Sequence, residues 1–343
     1  MQLTDLRLQQ FRSYQSAQFT FDPHITLITG KNGVGKTNLL EAIFVLLQGT
    51  SFRGGDTELL HTDTTWWRID GKLAGADRQV RFQRDNRPAK QLVVTETAKR
   101  FTYKERLPLV LFEPTDLQLV HGSPARRRDT LDTMLVALSH PYKQALSRYE
   151  RALQQRNNIL KKQPSNLEDA LFSWDVLLSE YGVQINSARH GLIAELNHLL
   201  PGHYSQIAGG IHELKISYKS ELPENISTSQ YIAGLHRKLP LDRLRGTTSL
   251  GPHRDDLVFI LEHVDAKQSA SRGEVRSLLL ALKIAYAELL EKSHGTKPII
   301  LLDDVFSELD TDRQTNLLSV LGGYQTIITD TRTPKIIGKH IQL

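Results

Sequence analysis

The chain has 343 residues, 39% of them hydrophobic and 24% charged, the balance of a folded globular protein and not of a disordered one. Its 43 Lys and Arg against 38 Asp and Glu leave a net charge of +5, which permits a polyanionic partner without demanding one. The absence of cysteine excludes disulfides and thiolate metal sites and fits a cytoplasmic protein, while no run reaches the ~20 apolar residues of a membrane span and Met1 to Phe11 lacks a signal-peptide core.

Leu6 and Leu8 alternate with polar neighbours, as a half-buried strand does. Ile25 to Thr29 is an apolar run that closes on Gly30, and an amphipathic pattern over Thr37 to Leu47 predicts a helix. Short strand-like pieces follow between Trp66 and Val94, separated by Gly75-Ala76-Asp77 and Asp85-Asn86-Arg87-Pro88, both read as hairpin turns. Leu109 to Phe112 is a further buried-strand candidate. The texture is helical from about Ser123 to Leu200. Tyr142, Leu146, Tyr149, Leu153 and Leu160 share one helix face, and Leu167, Leu171, Trp174, Leu178, Tyr181 and Ile185 another. Pro164-Ser165 divides them, so an antiparallel helix pair is expected, too short for a long coiled coil. After Pro240 the alternation resumes, with strands at Leu257 to Leu261, Ile299 to Leu302 and Thr326 to Thr329 and a helix at Arg272 to Lys292. The economical reading is an α/β lobe of residues 1–113 and 240–343, interrupted by a mainly helical lobe of 114–239.

Gly30-Lys31-Asn32-Gly33-Val34-Gly35-Lys36-Thr37 fits G-x-x-x-x-G-K-[ST], after an apolar strand and before a helix. Glycines let main-chain N–H groups turn inward around a phosphate, and the helix start adds its positive end. Lys36 is placed to reach β- and γ-phosphates, and the Thr37 hydroxyl to ligate Mg²⁺. ATP with Mg²⁺ is therefore the expected cofactor. The second half of such a site is an acid at the end of a buried strand, which Ile299-Ile300-Leu301-Leu302-Asp303-Asp304 supplies. Asp303 would hold Mg²⁺ and Asp304 would orient or deprotonate the attacking water. A solvated Asp-Asp turn is the plainer account of the pair taken alone.

Ser271-Arg272-Gly273-Glu274 precedes an amphipathic helix. It is a capping box, and equally the place of an ABC signature, whose Ser and Gly cap the γ-phosphate held by an opposite subunit. Its position upstream of Asp303, by one helix and one strand, favours the signature. Ser307-Glu308-Leu309-Asp310 resembles the D-loop of the same ATPases, or is an ordinary N-cap.

From end to end the chain resembles the RecF family of ABC-type ATPase heads, relatives of the chromosome-maintenance (SMC) proteins. The stretches that carry the resemblance are the P-loop continued through Thr37-Asn38-Leu39-Leu40-Glu41-Ala42, Phe112-Glu113-Pro114-Thr115-Asp116-Leu117 with Gly122-Ser123-Pro124 and Arg126-Arg127-Arg128, Gly251-Pro252-His253-Arg254-Asp255-Asp256-Leu257, and Leu301 to Asp310. The resemblance implies an α/β ABC-type P-loop ATPase head, with a mixed sheet, an antiparallel subdomain and an inserted helical lobe. It implies nucleotide contacts from Gly30 through Asn38, from Arg12 in Phe11-Arg12-Ser13-Tyr14, and from Ser271 and Gly273 across an ATP-dependent homodimer. Arg12 reads equally as a surface arginine in a hairpin turn. The resemblance also implies work at gapped DNA with the RecR and RecO proteins to load the RecA recombinase.

Three departures stand out. Thr329-Asp330-Thr331 occupies the place of a transporter head's switch histidine. Asp304 stands where ABC ATPases usually carry glutamate, and its shorter side chain predicts slow hydrolysis, with ATP used as a switch. Glu113 falls roughly where a glutamine loop belongs. His253-Arg254-Asp255-Asp256 invites a metal reading, but a structural hydrogen-bond network is the expectation, since no other ligand shows suitable spacing.

Residues 120–163 hold nine Lys or Arg against three Asp or Glu, a net of +6 where the whole chain has +5. Arg126, Arg127, Arg128, Lys143, Arg148, Arg151, Arg156, Lys161 and Lys162 are candidates for contacts to duplex DNA phosphates without base readout, or form a solvated helix face. Competing functions are a transporter ATPase subunit, which the missing histidine disfavours, a P-loop phosphotransferase, which would want an acceptor pocket, and a nuclease-linked ATPase, not expected in 343 residues.

Overall fold

The strands that are buried at every position all lie in one sheet of this fold. A computed structural model describes residues 1–85, 89–332 and 338–343, so Asn86, Arg87 and Pro88 of the second expected hairpin turn lie outside the described residues. In chain order the elements are β1 (Leu3–Phe11), β2 (Tyr14–Thr20), β3 (Ile25–Thr29), α1 (Lys36–Gln48), β4 (Trp66–Leu73), β5 (Ala76–Gln83), β6 (Ala89–Val94), β7 (Thr97–Arg100) and β8 (Leu109–Phe112). These are followed by α2 (Gln118–His121), α3 (Pro124–Leu138), α4 (His140–Lys162), α5 (Leu167–Ala208), β9 (Leu214–Lys219), α6 (Thr228–Arg245), β10 (Asp256–Leu261), β11 (Val264–Asp265) and α7 (Ala266–Ser269). The chain closes with α8 (Arg272–His294), β12 (Ile299–Leu302), α9 (Thr311–Leu321), β13 (Thr326–Asp330) and β14 (Lys339–Gln342).

The chain forms two compact units, Met1–Asp116 with Ser205–Gly210 and Arg272–Leu343, and Leu117–Tyr204 with Ile211–Ser271. In the first, an antiparallel sheet of order β2-β1-β4-β5-β6-β7 buries one face, and β4 alternates exposed and buried residues along its length. Trp67 is fully buried there, stacked on Phe82 and edge-on to Phe11. A second, parallel sheet has the order β14-β3-β13-β12-β8. Its β3, β12 and β13 are buried at every position, which is why they read as continuous apolar runs. Helix α1 packs against both sheets, and one core cluster joins Leu8, Ile69 and Val80 through Leu39 and Leu46 to Ile28, Leu301 and Ile327. Each such side chain contributes about 1.5–3 kcal/mol by leaving water, so the start of α1 is fixed rigidly beside the ends of β3 and β12.

In the second unit α4 and α5 are antiparallel, as the pairs Arg148–Tyr181, Arg156–Asp175 and Tyr142–Arg189 require. Ser123 caps α3 with Pro124 in its first turn, a helix-start pattern visible in the sequence. The expected return to the α/β lobe at residue 240 is corrected to Arg272. The reason is hydrogen bonding: Leu257 to Leu261 pairs with β9 and β11, not with the parallel sheet, and α3 packs on β10. The second unit is therefore helical with a small antiparallel sheet of its own.

Candidate functional site

Strand β3 delivers the chain into the P-loop. Gly33 and Gly35 take φ values of 85° and 113°, the left-handed region that disfavours any side chain. At Gly35 a Cβ would also lie 2.8 Å from the Tyr14 hydroxyl and 2.9 Å from Ser13 Oγ. The Tyr14 hydroxyl donates to the Gly35 carbonyl, and burial pushes its pKa up to about 12. Helix α1 begins at Lys36 without a side-chain cap and without an acid in its first turn. Its first amides and positive end are thus left for an anion. The Lys36 ammonium arches back over the loop, donating to the carbonyls of Gly30 at 2.7 Å and Lys31 at 3.0 Å.

Asp303 follows β12 and meets the P-loop across β13. The Thr37 hydroxyl donates to it at 2.9 Å, and the hydroxyl of the fully buried Thr329 at 2.5 Å. Thr329 also accepts from the Asp304 N–H at 3.1 Å. Asp304 itself adopts φ 48°, and its Oδ1 is buried without a hydrogen-bond partner. Asn32, Gly33, Gly35, Lys36, Thr37, Asn38, Arg53, Pro114, Asp303, Asp304 and Thr331 line one cleft of about 470 Å³. The P-loop and both aspartates expected from the sequence are therefore brought together.

The residues fit a hard divalent cation. A hydroxyl and a carboxylate stand in contact beside an orphaned carboxylate oxygen, an all-oxygen donor set of the kind Mg²⁺ takes. Thr37 and Asp303 would hold the ion.

Other expected residues are placed differently. Arg12 does not line the cleft; it makes a two-pronged pair with the buried Glu41 of α1, at 2.8 and 2.7 Å, and donates to the Glu58 carbonyl. It sits at φ 49° in the β1–β2 turn and belongs to the support of α1. That pair keeps its guanidinium protonated to still higher pH than usual. Ser13 accepts from Asn38, which joins the same turn to the P-loop helix. Neither Ser271, which is exposed, nor Gly273 lines the cleft of its own chain. Glu113 follows the last residue of β8, beside the cleft residue Pro114, its N–H held by Asp116.

Two of the basic candidates are corrected outright. Arg156 is fully buried and bonded to Asp175 at 2.6 Å and Asp242 at 2.7 Å. Arg127 is buried in a two-pronged pair with Asp256 at 2.6 and 2.9 Å. Neither reaches a phosphate, because each serves as counter-ion to acids distant in sequence. Arg128 donates to the Asp255 carbonyl. Arg148, Arg151, Lys161 and Lys162 remain exposed along α4.

The segment His253-Arg254-Asp255-Asp256 is a hydrogen-bond network, and no cluster of His, Cys, Asp or Glu fit for a metal occurs among the described residues. Its Asp255 accepts from the Tyr218 hydroxyl, and His253 is bonded on both ring nitrogens. The sequence reading missed Arg53, whose Nη1 donates to Asn38 at the cleft, and Thr329 as the buried support of Asp303. An arginine in the loop before Gly54 and a threonine on a buried strand carry no local signal of either role.

A P-loop strand, an intervening strand and an acid-bearing strand, in a parallel sheet backed through α1 by an antiparallel one, define an ABC-type P-loop ATPase head. The family model for the RecF/RecN/SMC N-terminal domain matches residues 2–336. The DNA replication and repair protein RecF of Bacillus mycoides (strain KBAB4) is 35% identical over 346 residues, covering 96% of this chain and 92% of that protein. A solved structure of the recombination mediator protein RecF of the RecFOR pathway, as RecF-ATPrS, superposes with TM-score 0.86 at 30% identity, over 99% of this chain and 95% of the other. An Smc head bound to the C-terminal winged-helix domain of ScpA shares the fold alone, at TM-score 0.59 and 14% identity over 97% and 90% of the two chains. The chain belongs to the RecF family of DNA replication and repair proteins.

Proposed function

We propose that this protein is an ATP-dependent DNA-binding switch of recombinational repair and replication. It dimerises on ATP at gapped DNA and, with RecO and RecR, helps load the RecA recombinase. The observation that carries the reading is the contact of Thr37 with Asp303, two residues 266 positions apart that stand where a P-loop hydroxyl and an acid would share a magnesium-bound triphosphate. The amides of the Gly33-to-Thr37 turn and the Lys36 ammonium bind the β- and γ-phosphates. Bound Mg²⁺ would neutralise phosphate charge. Asp304 orients the attacking water, and its short side chain keeps hydrolysis slow. Ser271 and Gly273 cap the γ-phosphate held by the opposite copy, since neither lines its own cleft. Arg148, Arg151, Lys161 and Lys162 supply sequence-independent phosphate contacts along α4. The names of the relatives, a replication and repair protein and a recombination mediator solved with ATP, support the same reading.

The test is binding of gapped duplex DNA with ATP, ADP and no nucleotide, by the intact protein and by Lys36→Met. ATP is expected to tighten binding by the intact protein about tenfold, a coupling ordinary for nucleotide switches, and to leave Lys36→Met unchanged. Equal binding by the intact protein in all three conditions would remove the switch.

A further inference from the structure

Ser307 lies in the helical turn Val305–Glu308 that follows Asp304, and its hydroxyl has partners on both sides. It donates to the Asp304 carbonyl at 3.2 Å and accepts from Arg276 Nη1 at 2.9 Å. Arg276 stands one turn into α8 and is only 2% exposed. Its guanidinium lies over the ring of Phe112, 5.9 Å from the centroid, and 3.9 Å from the Glu308 carboxylate. Burial lowers the pKa of this guanidinium, while Glu308, Asp304 and Asp330 oppose the shift. Asp304 and Asp330 each keep one buried oxygen without a hydrogen-bond partner, and so does Arg276 at Nε. A dry cation is thus set among three acids, one of which faces the cleft.

The Asp304 main chain explains why a cation is needed there. At φ 48° it occupies a region that a non-glycine residue holds only when its surroundings force it. On one side its N–H is held by the carbonyl and hydroxyl of Thr329, both at 3.1 Å. On the other its carbonyl is held by Ser307, which is itself fixed by Arg276.

We infer that Arg276 is a positioning residue for ATP hydrolysis: through Ser307 it holds the Asp304 backbone in the conformation that aims its carboxylate into the cleft, and so ties the helix that opens after Ser271 to the hydrolytic step. The inference rests on the ATPase reading above. Lys36, Thr37 and Asp303 make no hydrogen bond to Arg276 or Ser307, and Asp303 is held from the other side by Thr37 and Thr329, so breaking the Arg276–Ser307 contact slows turnover without loosening ATP.

The test is steady-state ATPase, kcat and KM separately, with the Kd for Mg·ATP, on the full chain and on Arg276→Gln, Arg276→Lys and Ser307→Ala. Arg276→Gln and Ser307→Ala are expected to lower kcat about tenfold to a hundredfold, the usual cost of a misplaced catalytic group, with KM and Kd moving less than about threefold. Arg276→Lys, which keeps a cation and a donor for Ser307, recovers most of kcat. Should the buried Arg276→Gln variant fail to fold, Ser307→Ala decides the matter. An unchanged kcat in Ser307→Ala, or a fall in kcat matched by an equal rise in Kd, overturns the inference while the ATPase reading stands. An intact protein that hydrolyses no ATP overturns both.

Discussion

His253 lies between the Tyr149 hydroxyl, 2.7 Å from Nδ1, and the Thr248 carbonyl, 3.0 Å from Nε2. A carbonyl only accepts, so Nε2 carries the proton and Nδ1 accepts from Tyr149, and the ring is neutral. Burial lowers its pKa to about 4, with the Thr248 carbonyl opposing and Arg254 and Arg128 adding to the fall. An unfolded histidine near 6.5 binds a proton that the folded one refuses, so this residue costs stability as pH drops from about 6.5 towards 4. Unfolding free energy is expected to be about 2 kcal/mol lower at pH 5 than at pH 7 from this site alone. Urea titrations of the parent and of His253→Gln check it, since the variant should lack that share of the slope; equal slopes would contradict the account. At this scale the P-loop and Asp303 were legible because a short motif carries its own mechanism. Arg127, Arg156, Arg53 and Thr329 were not. Their roles are set by Asp256, Asp175, Asn38 and Asp303, partners that only the folded chain brings near.

Helix α4 shows how an element can mislead a charge-based reading. Its buried stripe is Tyr142, Ala145, Tyr149, Ala152, Arg156 and Leu160, with an arginine where periodicity would place a hydrophobe. Arg156 joins α4 to Asp175 of α5, to Asp242 of α6 and to the Thr248 hydroxyl. Burial raises the Asp175 pKa in spite of that arginine. Arg156→Leu leaves two buried carboxylates without their cation and is expected to cost about 3–5 kcal/mol, because breaking a buried pair strands the remaining charge. Chemical denaturation followed by circular dichroism measures this, and a loss under about 1 kcal/mol would contradict the assignment. The antiparallel α4–α5 pair was readable from two apolar faces and a proline break. Strand β14 was not, since its four residues Lys339–Gln342 pair at the edge of the parallel sheet and carry little apolar pattern. The domain boundary at 240 failed for a related reason: an apolar run such as Leu257 to Leu261 does not reveal which sheet it joins.

On the scale of the whole molecule, the ATPase unit is assembled from chain segments on both sides of the second unit. The P-loop comes from the first segment and the aspartates from the last, and they meet because β3, β13 and β12 are parallel neighbours. The order of the motifs announced that meeting, whereas the support around it, from Glu41 and Arg12 to Ser307 and Arg276, became visible only in three dimensions. No helix among the described residues is long and apolar enough to cross a membrane. The central claim is that the cleft grips Mg·ATP, and titration calorimetry of the intact protein tests it most directly. Saturable heat with one site per chain, abolished in Lys36→Met and weakened by EDTA, is the predicted result. An intact, folded protein that gives no heat with Mg·ATP would contradict the account.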